Sequence, residues 1–253
     1  MRHTDHYRRE YVTTFAEKWD ELIDWERRAQ GEGDFFLEIL RRHGARRVLD
    51  VATGTGFHSC RLSEAGFEVV SVDGSPAMLA KAQANAGRRG LTLTPVLADW
   101  RNLAEKVEGP FDAVICLGNS FTHLFTEAER RQALEQYHRL LRPGRVLIID
   151  QRNYDLILDR GYHTKHVYYY CGQGVRVEPE HMDEGLARFC YTFPDRSKYY
   201  LNMCPLRLKY LLGLLDQGGF GPVETYGDFA RDFDPAQVEF LVHVATKPNG
   251  AWR

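Results

Sequence analysis

The stretch that decides the fold reads Val48-Leu49-Asp50-Val51-Ala52-Thr53-Gly54-Thr55-Gly56. The apolar run over 46–51 predicts a short β-strand, the glycines predict a tight turn, and a helix is expected to open near Phe57. We expect Gly54 and Gly56 to let the backbone pass close to a ligand, because a side chain at either position would occupy the ligand's space. The helix N-terminus behind the turn offers N–H groups and the positive end of a dipole.

An acidic residue stands where a ribose-binding carboxylate is expected. The apolar run over 67–72 predicts a second strand, and Asp73 follows Asp50 at close to the spacing of about 20 residues typical of such sites. The order of strand, glycine turn, helix, strand and acid predicts a doubly wound α/β domain that binds a nucleoside. An ordinary tight turn is the alternative. Ser59 replaces the third glycine of the dinucleotide fingerprint, which disfavours a nicotinamide-dependent oxidoreductase.

The composition limits the class of protein. A chain of 253 residues that is 43% hydrophobic and 27% charged suits one α/β domain with an insertion, or one large and one small lobe. A net charge of −2 without a dense basic run disfavours a nucleic acid partner. We expect no membrane span and no signal peptide, since no run of about 18 apolar residues occurs and 2–10 is charged. Five scattered cysteines without a CxxC motif predict a cytoplasmic protein without a metal site.

The rest of the chain is predicted to alternate strands and helices, except between about 162 and 203. The expected strands cover 46–51, 67–72, 91–97, 111–117, 146–150, 223–226 and 238–246. Pro95 confines its strand to a sheet edge, whereas the uniformly apolar run over 111–117 suits a central parallel strand. The tripeptide 142–144 predicts a turn before strand five. Aromatic and β-branched residues between 162 and 203 predict a small antiparallel sheet inserted after strand five.

The N-terminal segment is polar but carries aromatic residues at helical spacing. Tyr11, Phe15, Trp19 and Leu22 recur at steps of four, four and three, which predicts one face of a single helix. Two interpretations stay open. The helix packs on the core, or its rings close as a lid over a ligand.

Polar side chains follow three strands at their carboxyl ends, where open α/β sheets bind ligands. Asp99 and Trp100 suit an exocyclic amine and a stacked base; the alternative is a helix-capping acid and a buried indole. Asn119 and His123 follow strand four, and Arg152 follows strand five. His123 is a candidate general base, or a loop histidine with a structural hydrogen bond.

Together these motifs resemble the glycine N-methyltransferase group of the class I S-adenosylmethionine-dependent methyltransferases. The segments that carry the resemblance are 48–56, 99–100, 115–124 and 150–155. Two further segments, 18–25 and 168–172, are similar to the microbial glycine/sarcosine N-methyltransferases, which start glycine betaine synthesis. The resemblance extends from about residue 11 to residue 245. Met203 and Cys204 depart from the animal type, which has aromatic residues at these positions.

The resemblance implies a doubly wound, mostly parallel seven-stranded sheet, with S-adenosylmethionine as cofactor and glycine and sarcosine as substrates of a monomer or small homo-oligomer. It implies a lid over 1–33, a core over 34–161 and 205–253, and a substrate cap over 162–204. The implied cofactor contacts are Tyr11, Trp19, Arg28 (or Arg27), Ala52, Gly54, Asp73, Asp99, Trp100 and Leu117. The implied substrate and catalytic residues are Asn119, Arg152 and Tyr191, with Tyr169 beside the reacting methyl group.

The chemistry of these residue types fits methyl transfer to an amine. The amine needs a lone pair aimed at the methyl group, so positioning matters more than acid–base catalysis. An arginine at a strand end suits a substrate carboxylate, and tyrosine rings suit a sulfonium. Another small amino acid or dimethylglycine as acceptor is an alternative. A protein that binds S-adenosylmethionine without turnover is a further one, disfavoured by Asn119 and Arg152.

Overall fold

Two β-sheets organise residues 2–164 and 172–250, the part of the chain described by the computed structural model. The strands, numbered in chain order, are β1 (Arg47–Asp50), β2 (Glu68–Asp73), β3 (Thr94–Leu97), β4 (Phe111–Cys116), β5 (Leu141–Arg152), β6 (Arg176–Asp183), β7 (Leu186–Thr192), β8 (Lys198–Met203), β9 (Val223–Gly227) and β10 (Phe240–Thr246). The large sheet has the order β3-β2-β1-β4-β5-β10-β9, and the small sheet has the order β6-β7-β8.

The helices connect these strands and cover the sheet. They are α1 (Tyr7–Glu10), α2 (Thr13–Leu22), α3 (Trp25–Glu32), α4 (Phe35–Arg42), α5 (Phe57–Glu64), α6 (Pro76–Arg88), α7 (Glu127–Leu140), α8 (Tyr154–Arg160) and α9 (Leu208–Gln217), with 3₁₀ helices at Thr4–His6, Trp100–Glu105 and Ser120–His123. Local sequence sets several helix starts. Ser75 caps α6, and Thr126 with Glu129 forms a capping box on α7. None of these helices is long and apolar enough to cross a membrane.

The predicted fold class is confirmed. Strands β1 to β5 pair in parallel, and β10 runs antiparallel to both β5 and β9. Every residue of β4 is buried, as a central parallel strand requires. Strand β3 lies at the edge of the sheet, where Pro95 removes no hydrogen bond that a further strand would need. The small antiparallel sheet follows β5, as the composition of 162–203 predicts.

The two glycines of the turn after β1 are needed for different reasons. Both adopt left-handed backbone, with φ of +55° at Gly54 and +97° at Gly56. A Cβ at Gly56 would lie 3.1 Å from the Cβ and 3.2 Å from the Cα of Ala82 on α6, whereas a Cβ at Gly54 would meet no atom within 4 Å. The expectation that a side chain at Gly56 would occupy ligand space is therefore wrong. Gly56 is required by packing between helices, and Gly54 leaves open space above the turn.

The predicted turn over 142–144 is also wrong, because these residues lie inside β5. Leu141 pairs with Phe111, and the register then shifts so that Val146 pairs with Ala113. The additional residues form an irregularity in the ladder, in which the Gly144 amide donates to the Lys247 carbonyl at 2.7 Å. Glycine and proline therefore mark a bulge here, and they do not end the strand.

The N-terminal aromatic residues do not share a single helix. Tyr11 ends α1, and the extended backbone of Val12 separates it from α2. The rings nevertheless pack as their spacing suggests, with ring centroids 5.5 Å apart for Tyr11 and Trp19 and 5.2 Å apart for Phe15 and Trp19. Phe15 also stacks on Tyr199 of β8 at 4.6 Å. The N-terminal segment therefore packs against the small sheet.

The two glycines offer a matched test of the turn. We expect Gly56→Ala to lower the free energy of unfolding by about 2–4 kcal/mol, combining left-handed strain with overpacking against Ala82. Gly54→Ala adds only the backbone strain, about 1–2 kcal/mol. Urea denaturation measures both values. Equal losses would contradict the assignment of Gly56 to helix packing.

Candidate active site

A cavity lies at the carboxyl ends of β1, β2 and β4, and its volume is about 950 Å³ including its mouth. All nine predicted cofactor residues line it: Tyr11, Trp19, Arg28, Ala52, Gly54, Asp73, Asp99, Trp100 and Leu117. The N-terminal segment therefore forms one wall of the cavity, and the sheet forms the other. The aromatic rings thus line the cavity and also pack on the small sheet, and the closing of a lid over a ligand stays a prediction.

Asp73 fixes the glycine turn from the end of β2. Its Oδ2 accepts from the Gly54 amide at 2.8 Å, and its Oδ1 accepts from the Ser75 amide at 2.8 Å. Burial raises the pKa of Asp73 to about 6, although these backbone hydrogen bonds oppose the shift. The carboxylate therefore faces the cavity with its orientation already set.

A buried polar network supports the turn from below. Ser59, the departure from the dinucleotide fingerprint, donates to Asp50 Oδ2 at 2.7 Å and accepts from the Ser71 hydroxyl at 2.9 Å. The Asp50 Oδ1 accepts from the Ala52 amide at 3.3 Å. Burial raises the pKa of Asp50 above its usual value. A glycine at 59 would remove the hydroxyl that joins β1 to β2 here.

Asp99 and Trp100 line the same cavity, and each also has a structural hydrogen bond. Asp99 caps the 3₁₀ helix through the Arg101 amide, and its Oδ2 accepts from Arg101 Nη2 at 2.7 Å. Burial alone would raise the pKa of Asp99, but the hydrogen bonds and charge of Arg101 lower it. The Trp100 indole donates to the Val51 carbonyl at 2.5 Å. Both side chains are held structurally and still form cavity wall.

Tyr7 is a cavity residue that sequence reasoning missed. Its hydroxyl donates to Asp99 Oδ2 at 3.3 Å, so it joins the N-terminal segment to the loop after β3. Its position four residues before Tyr11 was the available signal, because the two rings belong to one helical repeat. Phe57 and His58 of α5 also line the cavity without having been predicted.

Arg28 lines the cavity, whereas Arg27 is not among the lining residues of the described chain. Arg28 is 7% exposed, lines the cavity and donates from Nε to Glu32 Oε1 at 2.7 Å. Arg27 is 51% exposed and lies 3.7 Å from Asp24 on the outside of α3. The structure therefore places Arg28 rather than Arg27 in the cavity wall, and its contact with a cofactor stays a prediction.

His123 joins the N-terminal segment to the loop after β4. Its Nε2 lies 2.9 Å from the Tyr11 hydroxyl, in the wall of the cavity. Burial lowers the pKa of His123 to about 4, and a hydrogen bond with the Asn202 backbone only partly opposes this shift. The ring is neutral at pH 7 and already hydrogen-bonded, which favours the structural interpretation over a general base.

The three predicted substrate residues that the structure describes lie behind the cavity wall. Asn119, Arg152 and Tyr191 are almost fully buried and are not part of the described lining. Gly118 and Ser120, on either side of Asn119, do line the cavity. Tyr169 lies outside the described residues.

Asn119 organises this buried region. Its Oδ1 accepts from the Arg152 amide at 3.0 Å, and its Nδ2 donates to the Tyr154 hydroxyl and the Met203 sulfur, each at 2.9 Å. Its own amide donates to Asp150 Oδ1 at 2.8 Å. The residue therefore links the loop after β4 to the end of β5 and to β8.

Arg152 places its guanidinium among aromatic rings. Its Cζ lies 5.3 Å from the ring centroids of Tyr162 and Phe189 and 5.2 Å from that of Phe240. The side chain is 1% exposed. A cation in such surroundings gains strongly from an anion, because the local dielectric is low.

Comparisons with known proteins show the family and the fold of the chain. Residues 48–144 match the family described as a methyltransferase domain. The fold is similar to that of an S-adenosylmethionine-dependent methyltransferase from Clostridium acetobutylicum, with a TM-score of 0.75 and 18% identity over 93% of this chain and 98% of that chain.

Curated relatives are much closer in sequence. The glycine/sarcosine N-methyltransferase of Halorhodospira halochloris is 57% identical over 98% of this chain and 92% of its own length. The glycine/sarcosine/dimethylglycine N-methyltransferase of Actinopolyspora halophila is 55% identical over 98% of this chain and 44% of its own length. The predictions of an enzyme and of S-adenosylmethionine as its cofactor are confirmed. The chain belongs to the glycine/sarcosine N-methyltransferase family.

Proposed function

We propose that the protein transfers methyl groups from S-adenosylmethionine to the amine of glycine and of sarcosine, giving sarcosine and dimethylglycine. The observation that carries this proposal is the buried arginine at the end of β5. Arg152 is held against Asn119, whose two neighbours in the chain line the nucleoside cavity. The relatives of the same name match 98% of the chain, which supports the same substrates.

The cavity supports one orientation of the cofactor. Trp100 and Asp99 receive the adenine, since both line the cavity and an indole can stack on a base while a carboxylate can accept from its exocyclic amine. Asp73 accepts hydrogen bonds from the ribose hydroxyls, and Gly54 leaves room above the turn for the methionine part. Arg28 binds the methionine carboxylate. Tyr11, Trp19, Ala52 and Leu117 complete the apolar walls around the sulfonium.

The amino acid binds between the cavity and Arg152. The guanidinium forms a two-point contact with the substrate carboxylate, which fixes the nitrogen on the axis of the methyl group. Asn119 and Tyr191 complete the substrate site, and Tyr169, outside the described residues, lies beside the methyl group. A buried cation of this kind selects a small zwitterion, because a longer side chain has to displace the packed rings.

The reaction is an in-line displacement. The ammonium group of the bound zwitterion first loses a proton to water. The lone pair of the resulting neutral amine forms the new N–C bond, and the C–S bond breaks with its electron pair going to sulfur, so the product nitrogen carries the positive charge as a methylated ammonium. The protein contributes position and exclusion of water, so it needs no dedicated base. The hydrogen bond between His123 and Tyr11 keeps the lid against the loop after β4.

The division of the chain follows from this arrangement. Residues 1–33 act as the lid, 34–161 and 205–253 as the cofactor-binding core, and 162–204 as the substrate cap. A net charge of −2 supports a small-molecule partner over a nucleic acid. The protein works as a monomer or small homo-oligomer in the cytoplasm, where its scattered cysteines stay reduced.

Arg152 is the first residue to test. We expect Arg152→Ala to leave cofactor affinity nearly intact and to lower kcat/KM for glycine by about two to three powers of ten, on the order of 3–4 kcal/mol. Arg152→Lys keeps the charge but loses the planar fork, so it is also impaired. Arg160→Ala removes an exposed arginine from the adjoining helix α8 and serves as the control.

Glycinamide separates the carboxylate from the amine in this test. It is expected to be a poor substrate of the wild type and to lose little further activity in Arg152→Ala. Titration with S-adenosylhomocysteine checks that each variant is folded. A variant at 152 that methylates glycine normally, or equal rates with glycine and glycinamide, refutes the carboxylate contact.

The proposed role of Asp73 predicts that cofactor affinity depends on pH. With a pKa of about 6 in the free protein, Asp73 must release its proton before ribose hydroxyls can donate to it. Affinity for S-adenosylhomocysteine should therefore rise from pH 5 to pH 7, and Asp73→Asn should remove that rise.

The Asp73→Asn variant should also bind about 1–3 kcal/mol more weakly at pH 7. Calorimetric titration across this pH range measures both effects. The same affinity and the same pH profile in both proteins would remove Asp73 from the ribose site.

A further inference from the structure

Four side chains, those of Arg28, Glu32, His58 and Arg61, meet in a largely buried cluster beside the glycine turn. The Glu32 Oε1 accepts from Arg28 Nε at 2.7 Å, and the His58 Nε2 lies 3.1 Å from Glu32 Oε2. The Arg61 Nη1 also donates to Glu32 Oε2, at 3.4 Å. One carboxylate thus connects the last turn of α3 with the first two turns of α5.

The cluster is far from solvent. The side chain of Glu32 is 1% exposed, and those of Arg28 and His58 are 7% and 12% exposed. Burial alone would raise the pKa of Glu32, but His58 and Arg28 outweigh it and lower the pKa to about 2. Glu32 is therefore ionised throughout the working pH range, and its negative charge is distributed among three cationic or donor partners.

The Phe57 ring adds a second restraint on Arg28. The Arg28 Cζ lies 4.9 Å from the centroid of this ring, and the Arg61 Cζ lies 5.6 Å from it. A carboxylate on Nε fixes the plane of a guanidinium, and an aromatic face fixes its height. Arg28 is thus restrained in two directions, by Glu32 of its own helix and by Phe57, which follows directly from the glycine turn.

The place of the cluster indicates which part of the ligand it serves. Arg28, Phe57 and His58 line the cavity together with Gly54, and Phe57 and His58 follow directly from the glycine turn that is proposed to receive the methionine part. Glu32 itself is not among the lining residues of the described chain. It reaches the ligand only through Arg28 and His58.

We propose that Glu32 is a positioning residue that holds the Arg28 guanidinium in register with the carboxylate of the methionine part of the cofactor. This role rests on the cofactor orientation proposed above. Glu32 also cancels part of the positive charge of Arg28 and Arg61, so that the site attracts a zwitterion and does not simply collect anions. Glu32 therefore contributes to the affinity for the amino acid end of the cofactor without contacting the cofactor itself.

Two ligands distinguish positioning from a structural ion pair. S-adenosylhomocysteine carries the methionine carboxylate, and 5′-methylthioadenosine keeps the adenosine and sulfur without it. We expect Glu32→Asp and Glu32→Gln to weaken S-adenosylhomocysteine binding by about tenfold or more, the loss expected for a misaligned charged hydrogen bond. Binding of 5′-methylthioadenosine should change by less than about twofold. Calorimetric titration provides all of these values.

Three further variants define the comparison. Arg28→Lys should show the same selective loss, and the double variant Arg28→Lys/Glu32→Gln should lose little beyond Arg28→Lys alone, because both changes remove one contact. Asp34→Asn is the matched control, since Asp34 is 65% exposed and lies 3.7 Å from Arg61 without contacting Arg28. Glu32→Asp keeps the buried charge, so it carries the test if Glu32→Gln fails to fold.

Each outcome decides. The proposal is supported if the Glu32 variants lose affinity for S-adenosylhomocysteine but not for 5′-methylthioadenosine. It also requires that the double variant lose less affinity than the sum of the two single losses. Equal loss of both ligands, or no loss of either, reduces Glu32 to a structural ion pair and overturns it. If Arg28→Lys leaves S-adenosylhomocysteine unaffected, Arg28 does not bind the carboxylate and the role of Glu32 fails with it. If Arg152 variants fail their own prediction while the Glu32 variants behave as expected, only the acceptor has been misassigned.

Discussion

The carboxylate of Asp73 is the constraint on which the cavity depends. It lies at the end of β2 and accepts backbone N–H groups from Gly54 and Ser75, so it fixes the turn after β1 and the start of α6 at once. Burial opposes its ionisation, and a ligand with two hydroxyl donors relieves that opposition. The same interaction that orders the glycine turn therefore also orients the carboxylate that is proposed to bind the ribose.

The N-terminal segment turns this open crevice into an enclosed site. The Ser75 hydroxyl donates to the Tyr11 carbonyl at 3.2 Å, and Glu10 Oε1 accepts from the Asn202 amide at 3.1 Å. Burial raises the pKa of Glu10 to about 7, against the effect of its Asn202 hydrogen bonds. The segment thus contacts α6 of the core and β8 of the small sheet, and an enclosed cavity strengthens the electrostatics of methyl transfer by excluding water.

Sequence reasoning found what local pattern encodes. The glycine turn, Asp73 and the edge position of Pro95 follow from strand, turn and spacing rules, and all nine predicted cofactor residues line one cavity. The predictions from local sequence failed where a contact with a residue distant in the chain determines the local structure. Gly56 is required because a side chain there would clash with Ala82 of α6. Residues 142–144 stay in β5 because the Gly144 amide donates to the Lys247 carbonyl. The role of Glu32 could not be predicted from sequence, where it is only a polar residue at the end of a helix. Its partners on α5 are distant in the chain and come close to it only in the tertiary fold.

Product analysis tests the central claim most directly. The purified protein is incubated with glycine and S-adenosylmethionine whose transferable methyl group carries deuterium, and the products are followed by mass spectrometry with fragmentation to locate the label. The account predicts deuterated sarcosine first and deuterated dimethylglycine later, with every label on nitrogen. Unchanged glycine in the presence of bound cofactor, or label on the carboxylate, would contradict it.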